Sequence, residues 1–108
     1  MNVEQLRLDL ERDEGCVYAI YLDHLNLPTF GIGHLVKEAD PEHGQPVATK
    51  VSKDRVMQVF NSDIESVIDD CTRSFSDFEA LPEAVQLVVA NMMFNLGLPR
   101  FSRFKKMI

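Results

Sequence analysis

The sequence predicts an α+β fold that is mainly helical, with a small β-hairpin lobe and a helical lobe joined by a long helix. Two patterns carry this prediction. Apolar residues recur three or four positions apart over residues 53–75, which is the spacing of one helix face. Residues 17–35 instead hold two β-rich apolar runs around a polar bend, which is typical of a hairpin.

The chain opens with a short amphipathic helix. Apolar residues recur at helical spacing over residues 3–10, Asn2 is placed to cap the first turn, and Gln5 stands at the capping-box position. Gly15 follows at a place where glycine commonly ends a helix. We therefore expect this helix to end at Glu14.

A β-hairpin is expected after the first helix. Its first strand covers residues 17–22, a polar bend covers 23–26, and a second extended run reaches Leu35. Residues 38–50 contain two prolines, a glycine and scattered charge, so we expect a surface loop or a short third strand there.

The strongest helix signal follows Ser52, which is a suitable N-cap residue. A helix over residues 53–75 would be about 35 Å long, because each residue adds about 1.5 Å. A helix of that length is longer than one compact lobe of a 108-residue chain, so we expect it to bridge two lobes.

A very apolar helix is expected from Pro82 to Leu96. Apolar residues cover every side of it, so it belongs at the centre of a helical lobe with neighbours on all faces. Gly97 and Pro99 are its predicted stop signals. Residues 102–108 form a further segment that has no stop signal of its own.

The helical lobe has too few helices to surround this apolar helix. We expect it to be completed by a second copy of the chain, by another chain, or by sequence outside these 108 residues. The chain is interpreted as one domain whose parts are the β lobe at 15–51, the connecting helix at 52–75, and an incomplete helical lobe at 1–14 and 76–108.

Composition and charge argue against several classes of protein. The chain is 45% apolar and 26% charged, as globular proteins are. A formal net charge of −6 argues against a nucleic-acid binder, which needs a broad cationic face. No apolar run approaches the roughly 20 residues of a membrane helix, and no signal peptide is recognised. Cys16 and Cys71 match no metal spacing and are expected to be reduced thiols.

Two carboxylates near the hairpin are candidates for acid–base chemistry. Glu14 ends the first helix, where the negative end of the helix dipole would raise its pKa, as a general acid requires. Asp23 lies at the hairpin bend, where aspartate is also a common turn residue that bonds its own backbone. A solvated surface position for Glu14 and a turn role for Asp23 therefore stay open.

Thr29 begins a run that contains two glycines. Strand alternation would place Thr29, Gly31 and Gly33 on one face, as a strip free of large side chains that a ligand could approach closely. A bulge or tight packing would explain the glycines equally well.

His34 would lie on the opposite face of that strand and point into the protein. Asp63 falls on the apolar stripe of the long helix, where a lone carboxylate is costly. We therefore predict that His34 and Asp63 pair and so join the hairpin to the long helix.

The spacing of these residues resembles one family. Glu14, Asp23 and Thr29, followed by Gly-Ile-Gly-His-Leu at residues 31–35, resemble the catalytic region of the phage-type muramidases, the endolysin lysozymes of glycoside hydrolase family 24. The similarity continues through the first part of the long helix and over residues 91–97. The terminal helices of that family have no counterpart in this sequence.

The resemblance implies a lysozyme-like fold and hydrolysis of peptidoglycan between N-acetylmuramic acid and N-acetylglucosamine, with no cofactor and no metal. It implies that Glu14 protonates the leaving oxygen, that Asp23 stays ionised, and that Thr29 holds the attacking water. Inversion, with the two carboxyl groups roughly 6.5–9.5 Å apart, is implied as well. The implied substrate-binding residues are Leu35, Phe94, Gly31, Gly33 and Asn95.

Two other functions stay open at this point. The missing terminal helices favour a truncated, non-catalytic module that binds peptidoglycan or a partner protein. A lytic transglycosylase uses one glutamate and makes an anhydro product, and the presence of Asp23 and Thr29 argues against it. As an endolysin without an export signal, the chain would accumulate in the host cytoplasm and reach the wall after membrane permeabilisation.

Overall fold

The computed structural model describes the backbone of residues 1–107 and the side chains of residues 1–95. Over these residues it contains three helices and one three-stranded antiparallel sheet in the order β1-β2-β3, so the predicted α+β class is confirmed. The elements are α1 (Val3–Glu14), β1 (Val17–Leu22), β2 (Pro28–Gly31), β3 (His34–Leu35), α2 (Lys53–Ser74), a 3-10 turn (Phe78–Ala80) and α3 (Glu83–Met107).

Both ends of α1 lie where the sequence predicts them. Asn2 Oδ1 accepts a hydrogen bond of 3.1 Å from the N–H of Gln5. The Gln5 side chain bonds Asp9 at 2.9 Å, so it does not complete a capping box. Gly15 has a φ of 71°, a left-handed conformation that ends the helix after Glu14.

β1 has its predicted bounds, but the second predicted strand is divided in two. β2 ends at Gly31 and a tight turn leads into β3, so that Phe30 pairs with His34. The prediction of one continuous strand, with faces alternating through Gly33, was therefore wrong. The cause is a φ of 65° at Gly31 and 64° at Gly33, which suits a turn and which glycine adopts readily.

The segment that follows β3 consists mostly of turns and touches the free edge of β1. Ala19 forms an isolated antiparallel bridge with Lys50, and the N–H of Ile20 donates to the Thr49 carbonyl at 2.9 Å. Both predicted alternatives, a loop and a short strand, are thus present in part.

α2 is capped by Ser52, whose Oγ accepts a hydrogen bond of 3.1 Å from the N–H of Arg55. The helix has 22 residues and ends one residue earlier than the predicted limit of residue 75. Its buried positions follow the predicted stripe and are Val56, Val59, Phe60, Ile64, Val67 and Cys71.

α3 is longer than the sequence predicts. The helix continues through Gly97 and Pro99 to Met107, so neither residue ends it. Glycine and proline each destabilise a helix interior, by about 1 and 3 kcal/mol, but only at their own positions. Residues 102–107 are also helical, so the helix predicted over 82–96 and this segment form one continuous helix. Val85 and Val88 are 42% and 59% exposed, so α3 is not enclosed on every face.

Contacts divide the chain into two compact units. One unit comprises residues 11–62, and the other comprises residues 1–10 with the chain from Asp63 onward. Apolar residues buried in the first unit are Ile20, Phe30, Ile32, Val51, Val56, Val59 and Phe60. Those buried in the second are Leu6, Leu10, Ile64, Val67, Cys71, Phe78, Ala90 and Met93.

Candidate active site

A row of three side chains crosses the sheet of the first unit. Tyr21 on β1 is opposite Thr29 on β2, and Thr29 is opposite Leu35 on β3. Residues directly opposite each other in antiparallel strands point to the same face. Thr29 and Leu35 were selected from the sequence, whereas Tyr21 was missed because only the strand register reveals its position.

The carboxylate of Glu14 packs against the β2–β3 turn. A Cβ atom added at Gly33 would lie 3.0 Å from Glu14 Oε2 and 3.2 Å from Glu14 Cδ, which is too close for an ordinary contact. Glycine is therefore favoured at this position, because its backbone is left-handed and an added side chain would displace the Glu14 carboxylate. The structure thus brings together Glu14 and Gly33, two residues selected from the sequence.

Burial is the main reason that the pKa of Glu14 is raised above its ordinary value. The neighbouring charge of Asp13 raises it further, and His24 acts in the opposite direction. The sequence analysis predicted that the pKa of Glu14 is raised, and this direction is correct. The main cause is burial, however, and not the helix dipole. Because the effect of burial is the largest of these, the protonated form of Glu14 is favoured relative to an exposed glutamate.

Asp23 has the opposite environment. Its Oδ1 accepts hydrogen bonds from the N–H groups of Leu27 at 3.0 Å and Leu25 at 2.8 Å. The Leu27 bond is the largest cause that lowers the pKa of Asp23, with burial opposing and Leu25 and His24 also lowering it. The turn role is therefore correct, and the same bonds keep this carboxylate ionised near neutral pH.

The Thr29 hydroxyl donates to the Leu27 carbonyl at 3.0 Å, and only 4% of the residue is exposed. Because its single proton is used in that bond, the oxygen is left as an acceptor. The Thr29 hydroxyl is therefore directed to accept a hydrogen bond from any further partner.

Tyr21 lies within electrostatic range of both candidate acids. Burial is the first cause that raises the pKa of its phenol, and the charges of Glu14 and Asp23 raise it further. His24 in turn lowers the pKa of both carboxyl groups. Glu14 and Asp23 therefore share two neighbouring side chains, and Tyr21 stays a protonated donor beside them.

The other residues selected on the hairpin are buried. Gly31 faces α2, where an added Cβ would lie 3.0 Å from Val56 Cγ1. His34 points inward as predicted, with its ring centroid 5.0 Å from that of Phe30. Its Nε2 lies 2.8 Å from Asp40 Oδ2, a partner that no sequence pattern indicated.

The last three selected residues belong to the second unit. Phe94 and Asp63 are partly exposed. Asn95 is exposed, and its amide donates to the Asn91 carbonyl at 2.8 Å. The groove positions of Phe94 and Asn95, and the pairing of Asp63 with His34, stay predictions.

Comparison with known families agrees with this arrangement. The sequence matches the family described as phage lysozyme over residues 11–107, a span that includes every selected residue. The chain belongs to the phage lysozyme family. It therefore has a lysozyme-like fold and belongs to a family of cell-wall-acting glycoside hydrolases that lyse peptidoglycan. A comparison with curated proteins found no match. Within the described residues, every helix is too short or too polar to cross a bilayer.

Proposed function

We propose that this phage lysozyme hydrolyses the β-1,4 bond between N-acetylmuramic acid and N-acetylglucosamine in peptidoglycan. The opposite pKa shifts of Glu14 and Asp23 are the main support for this proposal. Two carboxyl groups whose environments move their pKa values apart can act as a protonated acid and an ionised partner at the same pH.

In the proposed reaction Glu14 is the general acid. It gives its proton to the glycosidic oxygen as the bond from that oxygen to the anomeric carbon breaks, so the leaving sugar departs as a neutral alcohol. Positive charge develops on the ring that remains, and ionised Asp23 stabilises it. Water then bonds to the anomeric carbon from the opposite side and loses its proton to Asp23, which inverts the configuration.

Thr29 would hold this water by accepting a hydrogen bond from one of its O–H groups. The hydrogen bond from Thr29 to the Leu27 carbonyl supports this role, because it fixes the hydroxyl as an acceptor. Leu35 lies on the same row and is 44% exposed, so it offers an apolar surface on which a sugar ring could pack. Inversion predicts carboxyl groups roughly 6.5–9.5 Å apart, which leaves room for the water.

A turbidity assay on purified cell walls tests the proposal. We expect wild-type protein to clear the suspension and Glu14→Gln to lose the activity, because the amide cannot donate a catalytic proton. Glu11→Gln is the matched control, since it removes an exposed carboxylate from the same helix end. Wild-type protein that binds walls without clearing them would instead indicate a non-catalytic module.

The chemistry of the products tests the mechanism. NMR of the first-formed reducing ends should show the α-anomer if the enzyme inverts, whereas the β-anomer would contradict inversion. An anhydro product would identify a lytic transglycosylase.

Two further points concern the cell and the assembly. We propose that the protein accumulates in the host cytoplasm and acts after membrane permeabilisation, because peptidoglycan lies outside the cytoplasmic membrane.

We also propose that a second copy covers the exposed face of α3 around Val85 and Val88. Sedimentation equilibrium should show a dimer, and a well-folded monomer at high concentration would contradict this.

A further inference from the structure

Four charged or titratable side chains form what we call the ion cluster: His34, Asp40, Glu42 and Arg55. Arg55 donates from Nε and Nη2 to the two carboxylate oxygens of Glu42, each at 2.9 Å. Its Nη2 also lies 3.4 Å from Asp40 Oδ1. Asp40 Oδ2 lies 2.8 Å from His34 Nε2. The cluster therefore connects β3, the segment after it and the first turn of α2.

The ion cluster is largely removed from water. The exposed side-chain fractions are 6% for His34 and 16% for Asp40, and 10% for Glu42 and 23% for Arg55. Buried ion pairs gain little net stability because desolvation offsets their attraction. A role in fixing one local geometry therefore explains the cluster better than stability does.

Both acids of the cluster stay ionised near neutral pH. Burial alone would raise the pKa of Asp40, but the Lys37 N–H, His34 and Arg55 together lower it. The hydrogen bonds from Arg55 lower the pKa of Glu42 against the effect of burial. The carboxylates of Asp40 and Glu42 thus remain charged partners of Arg55 near neutral pH.

The ion cluster ends at the turn that supports Glu14. His34 is the first residue of β3, and Gly33 directly before it is the residue on which the Glu14 carboxylate packs. Asp40 holds His34, and Arg55 holds Asp40. A displacement of Asp40 would therefore be transmitted to the backbone of Gly33.

The other end of the same turn is held by the next residue of α2. Val56 packs on Gly31, where an added Cβ would lie 3.0 Å from Val56 Cγ1. Consecutive residues of α2 thus hold both ends of the turn, Val56 directly and Arg55 through the ion cluster.

We propose that Asp40 and Arg55 are positioning residues for Glu14, because they fix the β2–β3 turn from α2 so that its glycine backbone supports the carboxylate. This proposal rests on Glu14 being the acid of the proposed function. Neither residue contacts the reacting atoms in the proposed mechanism. Their effect is therefore expected in the titration of Glu14 and in kcat rather than in KM.

The carboxyl titration of Glu14, followed by carbon NMR, is the direct test. Asp40→Asn keeps the shape of the side chain but removes its charge, so the turn should loosen and Glu14 should gain water. We expect the Glu14 pKa to fall toward its ordinary value of 4.5. Asp13, Tyr21 and His24, the other titratable groups that act on Glu14, are unchanged in this variant.

Kinetics provide the second readout. A shift of the acid by a fraction of an ångström should lower kcat by about 10-fold, with KM changed little. Arg55→Lys keeps the charge but not the paired bonds to Glu42, so it should act in the same direction with a smaller effect. Asp69→Asn is the matched control, because it breaks an exposed ion pair of 2.9 Å with Arg73 on the same helix.

The possible outcomes separate clearly. An unchanged Glu14 pKa in folded Asp40→Asn and Arg55→Lys would overturn the proposal, as would an equal effect of Asp69→Asn. If circular dichroism shows that Asp40→Asn does not fold, Arg55→Lys and Glu42→Gln decide the question. The titration needs no turnover, so an inactive wild-type protein would contradict the proposed function and leave this test valid.

Discussion

Gly33→Ala should impair catalysis by displacing Glu14, beyond any effect on stability. The new Cβ would lie 3.0 Å from Glu14 Oε2, whereas ordinary contacts begin near 3.4 Å, so the carboxylate must move by about 0.4 Å. A misplacement of about 1 Å can cost about 100-fold in rate. On a logarithmic scale a shift of about 0.4 Å therefore corresponds to a loss of about 6-fold in kcat.

Gly44→Ala separates displacement from backbone strain. Gly33 and Gly44 have φ values of 64° and 83°, so alanine is strained at both, at a cost of about 1–2 kcal/mol. An added Cβ at Gly44 meets nothing within 4 Å. We expect both variants to lose similar stability by thermal denaturation, but only Gly33→Ala to lose kcat in a cell-wall assay. Equal kcat values in the two variants would refute the reasoning.

Three further predictions concern the acids and their neighbours. Because the folded-state pKa of Glu14 is raised, its ionisation costs stability above its unfolded pKa near 4.5. Glu14→Gln should therefore raise the Tm at pH 7 and leave it unchanged at pH 3, and a gain at both pH values would contradict this. Asp13→Asn should lower the Glu14 pKa and move the basic limb of the pH–rate profile to lower pH, while Glu11→Gln leaves that limb in place. Tyr21→Phe removes a donor beside both acids and should lower kcat/KM by about 3- to 10-fold, the value of one hydrogen bond. An unchanged kcat/KM on purified cell walls would show that the hydroxyl makes no contact in the reaction.

Local signals in the sequence were enough to predict most of the elements. Asn2 and Ser52 cap their helices as expected, because an N-cap depends only on the residues of one turn. Gly15 ends α1 for the same reason. The helix end predicted at Gly97 and Pro99 was wrong. The low helix propensity of these two residues is a local quantity, and it does not include the helical tendency of the residues before and after them.

The candidate site was predictable only in part. The spacing of Glu14, Asp23 and Thr29 selected three candidate residues. Gly33 was selected as well, but as part of a continuous strand, whereas it lies in the turn between β2 and β3. The position of Tyr21 depends on which strands pair and in which register, and no local pattern contains that information. Asp40 was missed for a similar reason, since it reaches His34 only through the turns of the connecting segment.

Carboxyl titration of the wild-type protein by carbon NMR tests directly whether Glu14 and Asp23 are divided into an acid and an ionised partner. We expect Glu14 to titrate above 4.5 and Asp23 to titrate below 3.8, with both signals assigned by the Glu14→Gln and Asp23→Asn variants. Titration of Glu14 at or below 4.5, or of Asp23 above 3.8, would contradict the proposed division of roles.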